Sequence, residues 1–203
     1  MVNDESDVKP VYRKTCRRYD EPGDVHYLTF SCFQRRPFLS RPRTCRWFID
    51  AIEAAREKHQ FDLWAFVIMP EHVHMLIYPR RPAYSISSIL SSLKIPVTRR
   101  AERFVREQAP EFAVQMTDRQ PNGKTSLRFW QSGGGYDRNL WSPKHIWEAI
   151  DYIHDNPVRR DLCESPLDWP WSSVLYYEDR ESGPLRIDLD SLPDDRCRGR
   201  KRY

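Results

Sequence analysis

Residues 61–79, with the sequence FDLWAFVIMPEHVHMLIYP, constrain the fold more than any other part of the chain. They form two short apolar runs, residues 61–69 and 72–79, both rich in residues that favour strands. Pro70 and Glu71 separate the runs. Because proline neither continues a central strand nor donates a ladder hydrogen bond, we predict that the chain turns there. The stretch therefore predicts a pair of strands joined by a tight turn.

Two histidines open the second predicted strand. Because successive strand side chains point to opposite faces, His72 and His74 share one face and lie roughly 7 Å apart along the strand, whereas Val73 points away. This geometry suits a metal ion or a phosphate group. The same triplet is also compatible with two half-exposed histidines on a wet sheet face, because short motifs occur by chance. A second feature must therefore point to the same place.

The second feature is the segment EAIDYIHDNP, residues 148–157. We predict a helix that begins at Ser142 and Pro143, which suit the N-cap and first helical positions, and ends at Pro157. Tyr152 and Asn156 are four residues apart and share a face of this helix. A phenol and a carboxamide on that face can meet two imidazoles. A tyrosine on an amphipathic helix is also often a boundary residue with a wet hydroxyl, so that alternative stays open.

The segments MPEHVHMLI and DYIHDNPVRR, followed by LDWPWSS, resemble the signature of the REP-associated tyrosine transposases, which are single-tyrosine HUH endonucleases. The similarity extends from about residue 27 to about residue 176. The resemblance implies that His72 and His74 bind a divalent metal ion and that Tyr152 is the nucleophile that attacks DNA. It also implies that Asn156 is a third metal ligand, although many relatives have the longer glutamine at this position.

The reaction that the resemblance implies is a metal-dependent transesterification that cleaves and rejoins single-stranded, hairpin-associated DNA in transposition. Tyrosine has a pKa of about 10, so a cation beside it must polarise the scissile phosphate. Imidazole and amide ligands without a thiolate favour Mg²⁺ or Mn²⁺. Two alternatives stay open: a catalytically silent, sequence-specific DNA-binding protein of the same fold, and a metal-dependent hydrolase in which Tyr152 is structural. Monomer and homodimer also both stay open.

Strand and helix patterns along the chain define the predicted fold. Strands are predicted at residues 25–33 and 127–131 in addition to the central pair, and helices at residues 44–59 and 85–108, the latter kinked or broken at Pro96. The order of strands and helices predicts an α+β fold, a ferredoxin-like antiparallel sheet with helices packed on one face. The catalytic tyrosine is then expected on a C-terminal helix.

The chain of 203 residues is long enough for one domain with a core. We predict a flexible N-terminal arm at residues 1–22, an HUH transposase-like catalytic domain at residues 23–177 and a polar, basic-ended tail at residues 178–203. No run approaches the roughly 20 apolar residues of a membrane span, and the N-terminus does not resemble a signal peptide, so a cytoplasmic protein is expected. The five cysteines contain no CxxC pair, which indicates reduced thiols.

Arginine makes up 26 of the 33 basic residues. Its planar guanidinium grips phosphate with two parallel hydrogen bonds, so the bias favours a nucleic-acid partner. A high genomic GC content has the same effect on composition. The arginines expected to contact DNA are Arg35, Arg36, Arg43, Arg99, Arg100, Arg103, Arg159 and Arg160.

Overall fold

The computed structural model describes residues 20–180 and 182–195. Its strands, numbered in chain order, are β1 (Val25–Ser31), β2 (Phe61–Ile68), β3 (His72–Pro79), β4 (Thr117–Arg119), β5 (Thr125–Leu127) and β6 (Tyr136–Leu140). Its helices are α1 (Pro42–His59), α2 (Ile86–Gln108), α3 (Ala113–Met116), α4 (Pro143–Arg159) and α5 (Val174–Glu178). Within the described ranges, no helix combines the length and the apolar character that crossing a membrane requires.

Four strands form one antiparallel sheet in the order β2-β3-β1-β6, and β4 and β5 form a separate hairpin. The strands before and after α1, β1 and β2, are not neighbours, because β3 lies between them. The sheet strands before and after α2, β3 and β6, are likewise separated by β1. A ferredoxin-like sheet has this arrangement. The predicted α+β class and the antiparallel sheet are confirmed. β3 lies in the interior of the sheet, paired on both edges, so the register of its two histidines is fixed by β1 and β2.

Helices cover both faces of this sheet. Val73, Met75 and Ile77 of β3 point into the core formed with α1 and α2. These two helices share one face of the sheet, as predicted. Leu76 points into a second core on the other face, which is closed by α4. Because side chains alternate along a strand, His72 and His74 share the face of Leu76. The paired histidines and α4 therefore face each other across one side of the sheet.

Helix α4 begins as predicted, with Ser142 at the N-cap position and Pro143 in its first turn. It buries the apolar residues Ile146, Trp147, Ile150 and Ile153 against the sheet. The predicted end at Pro157 is wrong, because the helix continues to Arg159. Proline removes only one backbone hydrogen bond this close to the end of a helix, so one further half-turn is tolerated. The extension brings two arginines, Arg159 and Arg160, to the end of α4.

The last strand of the sheet was not predicted. Residues 127–131 do not form a sheet strand: Leu127 ends β5, and Trp130 makes only an isolated bridge to Cys32. The fourth strand is β6, with the sequence YDRNL. Its Asp and Asn residues are depleted in strands. Pairing with β1 along its length therefore determines the conformation of this segment.

Helix α2 passes through Pro96 without a break. The two residues on either side of the proline that face the core, Leu93 and Val97, are fully buried, and α2 packs along α1. Packing of this apolar face offsets the hydrogen bond that proline removes, since tertiary contacts supply most helical stability in proteins.

The segment after α5 packs against the domain. Leu185 and Ile187 are buried in the core, and the Asp188 carboxylate accepts hydrogen bonds from the Leu63 backbone N–H and the Arg56 guanidinium. Part of the predicted polar tail therefore packs against the domain, because the alternating apolar side chains of Leu185 and Ile187 enter the core. The basic end of the tail, residues 196–203, and residues 1–19 of the predicted arm lie outside the described residues.

Cys32, Cys45 and Cys163 carry free thiols in the part of the chain that the structure describes. Cys16 and Cys197 lie outside it.

Gly135, immediately before β6, lies close against the backbone of β1. It has a φ of +75°, and a Cβ atom added there would lie 2.2 Å from the Thr29 carbonyl oxygen. Gly123 has a similar φ of +79° but open space around it. Comparing the two glycines separates the effect of the close contact with β1 from the effect of the positive φ.

We expect Gly135→Ala to lower the free energy of unfolding by about 1–3 kcal/mol more than Gly123→Ala. Both substitutions place alanine in a conformation that favours glycine, but only the first also overpacks against β1. Urea unfolding of the two variants and the wild type measures the difference. Equal losses for the two variants would show that the close approach carries no energetic weight.

Candidate active site

The two histidines of β3 meet beneath α4. Their side chains are buried, and His72 Nε2 lies 2.9 Å from His74 Nε2, with the ring planes nearly perpendicular. Alternation along the strand predicts that they share a face, and β3 places them so. The Nε2 atoms of the two imidazoles therefore face a common point. A cation held between the two rings requires this arrangement.

Each histidine has a different partner at its other ring nitrogen. His72 Nδ1 lies 3.1 Å from Glu71 Oε1, and the same carboxylate oxygen accepts a hydrogen bond of 3.0 Å from Arg160 Nη2. His74 Nδ1 lies 2.8 Å from both the Tyr27 and the Thr29 hydroxyl oxygens. Partners of this kind orient metal-binding histidines in many proteins.

Tyr27, Thr29 and the role of Glu71 are not predicted from the sequence. The signal for Tyr27 and Thr29 is their alternation on β1, because Thr29 pairs directly with His74 across the two strands and the two hydroxyl residues share its face. The signal for Glu71 is its position next to His72 in the turn. Neither signal is usable before the strand register is known.

Burial lowers the pKa of both histidines. For His74, burial and then the neighbouring His72 lower the pKa to about 3. For His72, burial lowers the pKa and the Glu71 carboxylate opposes the shift. Both imidazoles are therefore neutral at pH 7, and the neutral form is the one that binds metal ions.

Asn156 of α4 completes the group. Its side-chain nitrogen lies 3.3 Å from His74 Nε2, and its buried side-chain oxygen has no hydrogen-bond partner. A half-turn of the amide exchanges the positions of these two atoms and brings the oxygen to the imidazole nitrogens. Two nitrogens and one amide oxygen then converge from β3 and α4.

This donor set fits a divalent metal ion. Two neighbouring ligands about 2.1 Å from an octahedral ion lie roughly 3 Å apart, close to the 2.9 Å between the two imidazole nitrogens. Across residues 20–180 and 182–195, no three His, Cys, Asp or Glu side chains form a metal-binding cluster. Beside the two imidazoles, the Asn156 amide offers a further donor atom, the otherwise unpaired oxygen.

Tyr152 lies beside the histidines on the solvent side. It is 39% exposed, and its ring is perpendicular to the His74 ring with 5.6 Å between their centroids. The Arg159 guanidinium carbon lies 4.9 Å from the centre of the Tyr152 ring. The apolar side chains of α4 face the sheet, whereas Tyr152 faces solvent. The phenol is therefore accessible to a large substrate.

Tyr152 and His74 line a cleft of about 550 Å³ between β1, β6 and α4. Other side chains of this cleft are Tyr27, Thr29, Tyr136, Arg138 and His145. Tyr136 is 51% exposed, and the cleft places a basic side chain, Arg138, near the two tyrosines. The opening is lined by three tyrosines together with Arg138 and Glu148, and its aromatic side chains suit a nucleic-acid strand.

The arginines predicted to contact DNA separate into two groups. Arg35, Arg159 and Arg160 lie near the histidines: Arg35 acts electrostatically on His72, Arg159 stacks on Tyr152, and Arg160 binds Glu71. Arg36 follows Arg35 and binds Gln34. The remaining four belong to α1 and α2 on the opposite face of the sheet, Arg43, Arg99, Arg100 and Arg103.

The structure therefore does not bring the α1 and α2 arginines to the histidines. Arg43 lies over the Phe104 ring, 3.5 Å from its centre, and Arg100 forms an ion pair with Asp50. Contact of any of these arginines with DNA stays a prediction.

Residues 24–115 match the model of the family described as transposase IS200 like. A curated protein from Haemophilus influenzae (strain ATCC 51907 / DSM 11121 / KW20 / Rd), named "Putative REP-associated tyrosine transposase", is 25% identical over 152 residues. The matched region covers 75% of this chain and 80% of that protein. The match to the family model ends before α4, so it includes both histidines but neither Tyr152 nor Asn156.

The fold is also that of a solved structure of a REP-associated tyrosine transposase bound to a REP hairpin. The TM-score is 0.63 at 21% sequence identity, and the alignment covers 94% of this chain and 100% of the other. Over residues 24–115 the chain is thus similar to the IS200-like transposases. Among these proteins it resembles the REP-associated tyrosine transposases, as the two sequence motifs predict.

Proposed function

We propose that the protein cleaves and rejoins single-stranded, hairpin-associated DNA through a 5′-phosphotyrosine at Tyr152, in a metal-dependent transesterification that serves DNA transposition. The observation that carries the proposal is the meeting of α4 and β3. One helical turn brings Asn156 to His74 Nε2, and the same face holds Tyr152 beside the His74 ring.

The Tyr152 hydroxyl oxygen would attack the scissile phosphorus and form a phosphotyrosine bond. The bond between phosphorus and the 3′ oxygen breaks, the phenolic proton is released, and the departing 3′ oxygen becomes a hydroxyl. The phosphodiester energy is conserved in the new bond, so attack by a 3′-hydroxyl reverses the step without a nucleotide cofactor.

His72, His74 and Asn156 would hold the divalent ion, Mg²⁺ or Mn²⁺. When bound, the ion supplies Lewis-acid stabilisation of the negative charge that develops on the phosphate. The chain itself positions the Tyr152 phenol and the basic side chain beside it. Arg159, stacked on the Tyr152 ring, presents a guanidinium that can bind a phosphate oxygen next to the nucleophile.

The cleft supports a single strand as the substrate. Tyr136 is an exposed aromatic side chain of the cleft, and Trp141, 76% exposed, directly follows β6. Base stacking on such side chains contributes about 1–3 kcal/mol for each base and does not depend strongly on sequence. A REP hairpin is the ligand in the similar solved structure. We propose a hairpin as the ligand of the present chain as well, with a single-stranded flank that enters the cleft.

Incubation with a hairpin oligonucleotide that carries single-stranded flanks tests the proposal directly. With Mn²⁺ present, a protein–DNA adduct that survives a denaturing gel is expected, and chelation of the metal should remove it. Both alternatives left open by the sequence, a silent DNA-binding protein and a hydrolase with a structural tyrosine, form no such adduct. Persistent absence of the adduct across candidate hairpins while binding is retained would contradict the proposal.

A further inference from the structure

The two histidines differ in what their Nδ1 atoms contact. Glu71 presents a carboxylate to His72, and an ionised carboxylate can only accept hydrogen bonds. The proton of neutral His72 must therefore reside on Nδ1. This leaves a lone pair on His72 Nε2, the atom that faces His74.

His74 is held by groups that impose no such choice. The Tyr27 and Thr29 hydroxyls can each donate or accept a hydrogen bond. Burial raises the pKa of the Tyr27 hydroxyl, so it keeps its proton. His72 Nε2 is an acceptor 2.9 Å away, and a half-turn of the Asn156 amide places its otherwise unpaired oxygen, a second acceptor, beside His74 Nε2. With both neighbours accepting, His74 Nε2 carries the proton and His74 Nδ1 accepts from the hydroxyls.

We infer that Glu71 is a positioning residue that fixes His72 as the Nδ1–H tautomer, and that His74 changes tautomer when a divalent cation binds. A cation needs a lone pair on both Nε2 atoms. The proton of His74 then moves to Nδ1, and the Thr29 or Tyr27 hydroxyl turns from donor to acceptor. The site therefore contains one fixed and one adaptable histidine.

Arg160 connects Glu71 and the histidine pair to α4. Its guanidinium binds the same Glu71 oxygen that faces His72, and it follows directly after the last residue of α4. The carboxylate is thus held between the end of α4 and the start of β3. Since Asn156 and Tyr152 are on α4, the contact also sets the position of that helix relative to the histidines. Arg160 therefore holds Glu71 through one of its donors, and its contact with DNA stays a prediction.

Nitrogen-15 NMR of the histidine rings tests the inference, because the two tautomers give distinct ring nitrogen shifts. The inference rests on the cation site of the proposed function, but the measurement needs neither DNA nor cleavage. Without added metal we expect His72 as Nδ1–H and His74 as Nε2–H. With Mg²⁺ at millimolar concentration both should be Nδ1–H. His154, whose Nε2 contacts the Ser173 hydroxyl, serves as an internal reference.

Glu71→Gln tests the positioning role. Glutamine has the shape of glutamate, but it offers both a donor and an acceptor, so His72 should populate both tautomers. Loss of a partner behind a metal-binding histidine costs about 10–100-fold in affinity, and about tenfold weaker Mn²⁺ binding by calorimetric titration is expected. Glu148→Gln is the matched control. It removes the same charge from the cleft, but Glu148 is paired with Lys144.

Thr29→Val and Thr29→Ser separate the hydroxyl from the packing of the strand. Valine should hinder the change of tautomer at His74 and weaken Mn²⁺ binding, whereas serine should preserve both. His72 found as Nε2–H in the wild type would overturn the role of Glu71. An unchanged His74 tautomer at a Mg²⁺ concentration that saturates the site would overturn the switch, and so would a failure of Mg²⁺ to bind. An adduct assay that fails while these NMR results hold would count against the cleavage proposal alone.

Discussion

Tyr152→Phe is expected to abolish covalent attachment of DNA, with a loss of adduct of more than about a thousandfold, the order seen when a covalent nucleophile is removed. Only the hydroxyl is lost. The ring contacts of Tyr152 with His74 and Arg159 remain, and a side chain that is 39% exposed contributes little to the core. Hairpin binding and the thermal midpoint of unfolding should stay close to the wild-type values. A denaturing gel with labelled hairpin DNA measures the adduct.

Tyr136→Phe is the matched control, because Tyr136 is the other well-exposed tyrosine of the same cleft. It should form the adduct at a rate near that of the wild type. If the Tyr152 variant still forms an adduct and the Tyr136 variant does not, Tyr136 is the nucleophile and the proposed role of α4 is wrong.

His72→Ala and His74→Ala are expected to remove metal-dependent cleavage. Each removes one of two imidazoles that meet at 2.9 Å, and the remaining ligands hold a cation weakly. We expect Mn²⁺ affinity to fall by at least about a hundredfold, beyond the loss of an outer partner alone. Calorimetric titration with Mn²⁺ measures this directly.

His154→Ala provides the comparison for loss of a buried histidine on the same face. Its ring contacts Ser173 and Tyr177 rather than the histidine pair. Mn²⁺ affinity should survive in any folded His154 variant. Equal Mn²⁺ affinity in the wild type and in both His72 and His74 variants would exclude the histidine pair as the metal site.

The histidine pair and Asn156 could be predicted because they depend on local periodicity. Alternation in a strand places His72 and His74 on one face, and helical spacing places Tyr152 and Asn156 together. Their meeting across the domain came from the resemblance to a known family. The structure brings Asn156 within 3.3 Å of His74, which neither periodicity could supply alone.

The parts that escaped prediction depend on contacts between distant segments. The sequence of β6 disfavours a strand, and pairing with β1 overrides that preference. Tyr27 and Thr29 acquire a role only through the register of β1 against β3. Glu71 and Arg160 are 89 residues apart and meet where the end of α4 reaches the turn before β3. Patterns within a single segment carry no information on such pairs.

The central claim is that Tyr152 becomes covalently bonded to DNA in a metal-dependent step. Mass spectrometry of the purified wild-type adduct, after protease and nuclease digestion, locates the modified residue. A nucleotide attached to Tyr152 through its 5′ phosphate is the expected result. A nucleotide on any other residue, or no covalent product with Mn²⁺ and a hairpin that the protein binds, would contradict the claim.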